Sequence, residues 1–187
     1  MVLDLPALIA EHFAGMPVVV CANLPYYITS PIIMRLLEGP LPIRSLTVMV
    51  QKEAAVRITA APGTRECGAI SAAVWYYSTP KLLFPVSRGS FLPAPAVDSA
   101  VIRLDLPQEL PEDLPPREDF FAVVRAGFGQ RRKTMLNSLS AGLRWEKDAT
   151  RALLAAAGIA ENARAEQVTL EQWKALTRAY FSMKKSR

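Results

Sequence analysis

Asn23-Leu24-Pro25-Tyr26 sets an amide, a carbonyl held extended by the following proline, and an aromatic ring side by side. The Asn23 side chain offers a carbonyl acceptor and Tyr26 a stacking face. Pro25 forces Leu24 into an extended conformation, so the Leu24 carbonyl projects outward instead of entering a helix. Such a set suits a flat, amine-bearing base. An exocyclic amine on such a base is a poor nucleophile because its lone pair is delocalised into the ring. Two acceptors on its two N–H groups favour a tetrahedral nitrogen with a localised lone pair. No general base is then needed, and the lone His12 lies away from the motif. The simpler alternative is a strand-exit turn without chemistry.

The motif needs a strand to carry it. Val18-Val19-Val20-Cys21-Ala22 is an unbroken apolar run, which reads as a strand buried on both faces of a parallel sheet. In open α/β sheets, ligands bind just beyond the carboxyl ends of such strands. Further along, Phe91 precedes Pro93 and Pro95 in a loop those prolines stiffen. Tyr26 and Phe91 read as two faces of a clamp on an extruded base; the alternative for Phe91 is packing over a sheet end. Gln130-Arg131-Arg132-Lys133 reads as the opening of a helix, where cations oppose the dipole and an anionic partner such as RNA phosphate would compensate. The alternative is a solvated basic face paired with Glu118 or Asp119.

Four blocks occur in order: Asn23 to Pro31 (NLPYYITSP), Val50-Gln51-Lys52-Glu53, Phe91 to Ser99 (FLPAPAVDS), and Gln130 to Thr134 with Asn137-Ser138-Leu139. Together they resemble the KsgA/RsmA-type ribosomal RNA adenine dimethyltransferases over nearly the whole chain. The resemblance implies an α/β fold: a partial Rossmann-like S-adenosylmethionine methyltransferase sheet followed by a small all-helical domain. It implies transfer of methyl groups from S-adenosylmethionine to the N6 amines of two adjacent adenosines near the 3′ end of small-subunit ribosomal RNA. Asn23, Leu24, Pro25, Tyr26 and Phe91 would form the catalytic site, with Asn23 also touching the cofactor. Arg131, Arg132 and Lys133 would grip RNA on the pre-ribosomal subunit. The family's glycine-rich loop and acidic ribose-binding residue have no counterpart here, since no G-x-G-x-x-G occurs. The chain is therefore expected to be the C-terminal part of such an enzyme, inactive alone. A second reading is a non-catalytic RNA-binding fragment used in ribosome assembly. The methyltransferases of macrolide resistance fit the Gln130–Thr134 block and the Phe91 loop less well.

Composition sets the bounds. Of 187 residues 51% are hydrophobic, ample for a core. No apolar run approaches the ~18 residues of a membrane helix. Met1 to Gly15 carries Asp4, Glu11 and His12, unlike a secretory leader. Cys21 and Cys67 have no metal or redox spacing and read as reduced, buried residues of a cytoplasmic protein. Residues 1–106 hold 8 Lys/Arg against 7 Asp/Glu, whereas residues 107–187 hold 14 against 10. The positive excess thus lies in the second part, consistent with an anionic partner there.

The spacing predicts helices at 6–13, 32–38, 52–60, 69–77, 119–128, 133–143, 147–157 and 170–182. Strands are predicted at 17–22, 43–50, 81–87 and 98–105, the last two antiparallel because their link is too short for a crossover. Ser30-Pro31 reads as a helix cap with proline following, and Thr169 to Gln172 as a capping box. The organisation expected is a catalytic part over 1–106, a proline-rich linker over 107–116 and a helical domain over 117–187. Without an inner neighbour, strand 17–22 would present an edge inviting dimerisation or swapping. Tyr27, Trp145 and Trp173 read as packing residues, and Asp98 as ordering a strand start.

Overall fold

The computed structural model describes residues 4–39, 41–107, 114–130 and 132–185. They form two compact units, Met1–Thr59 with Tyr77–Glu109, and Ala60–Tyr76 with Leu110–Arg187. This differs from the expected single break: segment 60–76 groups with the later helices. Tyr76 accounts for it, since its hydroxyl donates to the Pro115 carbonyl at 2.9 Å and its ring centroid lies 4.5 Å from that of Phe120. Most of the expected linker 107–116 lies outside the described residues.

The first unit is a four-stranded mixed sheet in the order β1-β2-β4-β3. Strand β1 (Val18–Asn23) runs parallel to β2 (Ile43–Gln51); β4 (Ser99–Asp105) is antiparallel to β2 and to β3 (Thr79–Val86). The α/β class and all four strands agree with the sequence reading. The central strands carry the core: Leu46, Val48, Val50, Ile102 and Leu104 are fully buried. Helix α3 (Lys52–Thr59) adds Ala55 and Ile58 against this sheet. Helix α1 (Leu5–His12) starts where Asp4 Oδ1 accepts the Ala7 N–H.

Two local expectations fail at β1. The strand is not buried on both faces, because it lies at the sheet edge: Val19 is 65% exposed and Cys21 is exposed too. An apolar run specifies a buried strand only where a neighbour covers it. Helix α2 (Thr29–Glu38) follows a single tight turn at Tyr26–Ile28, so Ser30 lies inside it and is not its cap. Thr29 does the local work, its hydroxyl donating to the Pro25 carbonyl at 3.1 Å.

At the end of β4, Asp105 accepts from Arg103 at 2.6 Å and from Lys81 of the edge strand β3 at 3.1 Å. These hydrogen bonds, that from Arg103 foremost, hold its carboxyl below the usual carboxylate range.

Among its described residues the second unit is helical, with α4 (Ala69–Tyr77, the last residue falling in the first unit), α5 (Arg117–Phe128), α6 (Met135–Leu143), α7 (Lys147–Ala156) and α8 (Leu170–Lys185). Phe120, Val123, Met135, Leu139, Leu153, Leu154, Trp173 and Leu176 are among its fully buried apolar residues. Trp145 is only half-buried, tilted on Tyr180 at 5.2 Å. The Thr169 capping box forms as expected, Gln172 N–H donating to Thr169 Oγ1 and Thr169 N–H to Gln172 Oε1. Burial pushes the Cys67 thiol up, which keeps it protonated.

Helices α5 and α6 approach closely at Gly142, where an added Cβ would sit 2.6 Å from Ala126 Cα. Alanine there gains up to ~1 kcal/mol of helix propensity but collides with backbone that cannot rotate away. Gly142→Ala should therefore lower stability by about 1–2 kcal/mol in urea unfolding. An unchanged midpoint would mean the two helices can separate freely.

Candidate functional site

The end of β1 is locked to β2. Asn23 pairs in register with Met49, and the Leu24 N–H continues the ladder to the Met49 carbonyl at 3.1 Å. The Leu24 side chain is buried, which anchors the turn, whereas Asn23 is exposed at the strand's carboxyl end. Pro25 is extended (φ −59°, ψ 130°) and directs the chain into the turn at Tyr26–Ile28. Proline thus separates strand from helix and leaves the amide at the rim.

Tyr26 is oriented by a contact the sequence did not reveal. Its hydroxyl lies 2.7 Å from the Oγ of Ser99, a fully buried residue at the start of β4. Either group can donate. With its hydroxyl engaged, Tyr26 presents its ring face rather than an acid or base. The one available signal was the position of Ser99 at the end of the Phe91 loop, where that loop re-enters the sheet.

The loop itself is stapled at its base. Ser87 Oγ accepts the Gly89 N–H at 3.2 Å, and Asp98 Oδ1 accepts the Arg88 N–H at 3.0 Å. The Asp98 carbonyl accepts the Lys52 N–H at 3.0 Å. Asp98 does order the start of β4, as the sequence suggested, and it also ties the loop to α3.

Between turn and loop lies an open pocket of about 380 Å³ lined by Asn23, Leu24, Pro25, Tyr26, Phe91, Pro93 and Pro95. The sequence-predicted base site is therefore brought together from two segments some 70 residues apart. Its composition suits a flat aromatic ligand: aromatic and proline faces, and one uncommitted amide at the edge. Tyr27 does not pack, being 85% exposed. The lone His12 sits by Glu11, with Nε2 at 3.8 Å, and does not line the pocket.

The basic block behaves differently from expectation. Arg131 lies outside the described residues; Arg132 and Lys133 are exposed in the turn between α5 and α6, not inside a helix. Helix α6 begins only at Met135, capped by Thr134. Its first N–H groups are occupied: Met135 donates to Ala163 O at 2.7 Å, Leu136 to Glu161 O at 3.4 Å, and Asn137 to Thr134 Oγ1 at 3.5 Å. The block also follows the carboxyl end of α5, where cations are favoured. The dipole conflict inferred from sequence thus disappears, and with it the need for a compensating anion. Of the two acidic partners in the paired-face alternative, Asp119 is taken by Lys184 at 3.0 Å. Among the described residues, Arg132 and Lys133 make no ion pair.

No cluster of metal-ligating side chains occurs among the described residues, and no described helix is long and apolar enough to cross a membrane.

The fold is shared with solved structures. A crystal structure of a dimethyladenosine transferase from Plasmodium falciparum superposes with a TM-score of 0.72 at 22% identity, covering 91% of this chain and 68% of that one. The 23S rRNA methyltransferase ErmE gives 0.64 at 28% identity, covering 88% of this chain and 66% of its own. Sequence relatives are more similar. The ribosomal RNA small subunit methyltransferase A of Alkaliphilus oremlandii is 52% identical over 176 residues, 93% of this chain. Its counterpart in Clostridioides difficile is 43% identical over 174 residues. The chain spans 61% and 60% of the lengths of these two relatives. The sequence model for ribosomal RNA adenine dimethylases matches residues 2–181, and the chain belongs to that family.

Proposed function

We propose that the Asn23–Phe91 pocket receives the adenine of a small-subunit ribosomal RNA whose N6 amine is methylated with S-adenosylmethionine as donor. The supporting observation is the pocket itself, which joins the Asn23 amide and Leu24 to the Tyr26 and Phe91 rings. The base stacks on those rings, and Pro93 and Pro95 hold the Phe91 side in place. The Asn23 side-chain oxygen and the Leu24 carbonyl accept from the two amine N–H groups. That arrangement localises the nitrogen lone pair and aims it, a proximity effect. After one transfer the nitrogen keeps a single N–H. The second transfer, giving the N6,N6-dimethyl product at each of two adjacent adenosines, then needs room for a methyl beside Asn23 or Leu24.

S-adenosylmethionine supplies the methyl group when bound. The described residues fit the base better than the donor: the pocket lining contains no carboxylate for a ribose and no glycine turn. Asn23 would be the side chain of this pocket that also touches the donor. In the cell the partner is the pre-ribosomal small subunit in the cytoplasm, and the open β1 edge is where two copies of the chain would pair.

Calorimetric titration of this chain with a small-subunit RNA fragment, with and without S-adenosylmethionine, tests the reading. RNA binding is expected; RNA binding without cofactor binding would favour the non-catalytic assembly fragment, and no RNA binding even at low salt would overturn both. Arg132 and Lys133 are proposed to hold phosphate from their turn, together with Arg131, which lies outside the described residues. Replacing Arg132 and Lys133 with alanine should weaken RNA binding and reduce its logarithmic salt slope by about 0.7 for each phosphate no longer neutralised. An unaltered slope would return them to plain solvated charges.

A further inference from the structure

A second and larger pocket, about 540 Å³, lies at the carboxyl end of β2. Gln51 and Lys52 form one wall, Arg88 and Asp98 the other, and Val56 and Val97 are among its apolar lining. It shares the 87–98 loop with the base pocket, which uses Phe91, Pro93 and Pro95 of that loop. It also shares a sheet edge. Asn23 pairs with Met49, two residues before Gln51, on the adjacent parallel strand. With strands ~4.8 Å apart and ~3.3 Å of rise per residue, Asn23 and Gln51 are about 8 Å apart. That is a distance one nucleotide of a single strand can bridge.

The lining is suited to a nucleotide. Val56 and Val97 are 41% and 43% exposed, an apolar surface open to solvent. Lys52 and Arg88 are exposed cations, and among the described residues neither is ion-paired. Two carboxylates also line it: Glu53 is paired with Arg57 at 2.9 Å, and Asp98 accepts the Arg88 N–H at 3.0 Å. The Arg88 guanidinium makes one bond, to Ala96 O at 3.4 Å, which steadies it across the loop and leaves further donors. The walls are fixed by hydrogen bonds to Asp98 from both sides, so the pocket is built before any ligand arrives.

We propose that this pocket holds the RNA nucleotide flanking the target adenosine, its phosphate on Arg88 and Lys52 and its base on Val56 and Val97, within reach of the Gln51 amide. The inference rests on the proposed function of the neighbouring site. Seating the flank lets the single strand bend across the Phe91 loop, with the target base on one side and its neighbour on the other. Cations position and the base contact adds selectivity, the usual division in nucleic-acid sites.

The test uses this chain and a short single-stranded RNA with one central adenosine, alongside versions abasic at the centre or at either flank. Binding is read by fluorescence anisotropy across a salt series. For the unaltered chain, one abasic flank should weaken binding by about tenfold, the scale of burying ~60 Å² of apolar surface. In a Val56→Ser, Val97→Ser variant the same abasic flank should cost less than about twofold. Arg88→Gln with Lys52→Gln should lower the salt slope by about 0.7 for each phosphate these cations neutralise. All four side chains are exposed, so the fold should persist. Phe91→Ala should remove the response to the central abasic site and keep the response to the flank. If the serine variant responds to the flank like the unaltered chain while Phe91→Ala behaves as stated, the flank pocket is wrong and the base site stands. If no abasic position matters in any form, both readings are wrong.

Discussion

Asn23→Ala should reduce methyl transfer to small-subunit rRNA by about 10²–10³-fold, the effect of removing one preorganised polar contact to a reacting centre. RNA affinity should change less than about twofold, because base stacking and phosphate contacts are untouched. The comparison is best made in a chimera that sets this chain into the matching span of the Alkaliphilus oremlandii relative, which is 52% identical to it. Two features make the variant clean. Asn23 is exposed, so alanine leaves no cavity, and the Leu24 N–H to Met49 O bond still fixes the turn. The loss should fall on kcat rather than KM, since the amide matters most as the nitrogen becomes tetrahedral. Unchanged turnover would remove Asn23 from the chemistry and leave the pocket as a binding site only.

The second large effect is on stability. Trp173→Ala should destabilise the helical unit by about 3–5 kcal/mol, the cost of deleting a large buried aromatic. Trp173 is fully buried and stacks on Phe128 at 5.6 Å. Its ring also fills the space beside Gly127, where an added Cβ would meet Trp173 Cη2 at 2.5 Å. Helix α5 is thus built around this indole, and smaller residues elsewhere cannot replace it. Urea unfolding followed by circular dichroism measures the loss; a change under about 1 kcal/mol would mean that the surrounding helices collapse into the cavity.

Local patterns were legible and tertiary context was not. The proline after Leu24, the apolar run before Asn23 and the capping box at Thr169 each act within a few residues, and the structure forms all three local elements. That Tyr26 and Phe91 line one pocket was legible as well, from the sequence reading of their two segments. The apolar run of β1 alone reads as burial on both faces, which only a covering neighbour would give, whereas the edge position expected of strand 17–22 is the one it takes. Ser30 looked like a cap, but the tight turn at Tyr26–Ile28 moved the helix start upstream to Thr29. The cations at 131–133 read as opening a helix that begins only at Met135, since boundary signals at Thr134 and at the block itself compete. Segment 60–76 was assigned to the sheet part by sequence order, whereas Tyr76 commits it to Phe120 and Pro115. Ser99 escaped notice because its hydrogen bond spans 73 positions and leaves no periodic trace.

The most direct measurement is mass-spectrometric analysis of nucleosides from small-subunit rRNA after reaction with the same chimera, compared with its Tyr26→Ala and Phe91→Ala forms. The account predicts N6,N6-dimethyladenosine from the unaltered chimera and a marked loss of it from both variants. Methylation at a ring nitrogen or a ribose hydroxyl, or undiminished dimethyladenosine from the variants, would contradict the claim that this pocket presents an adenine N6 amine.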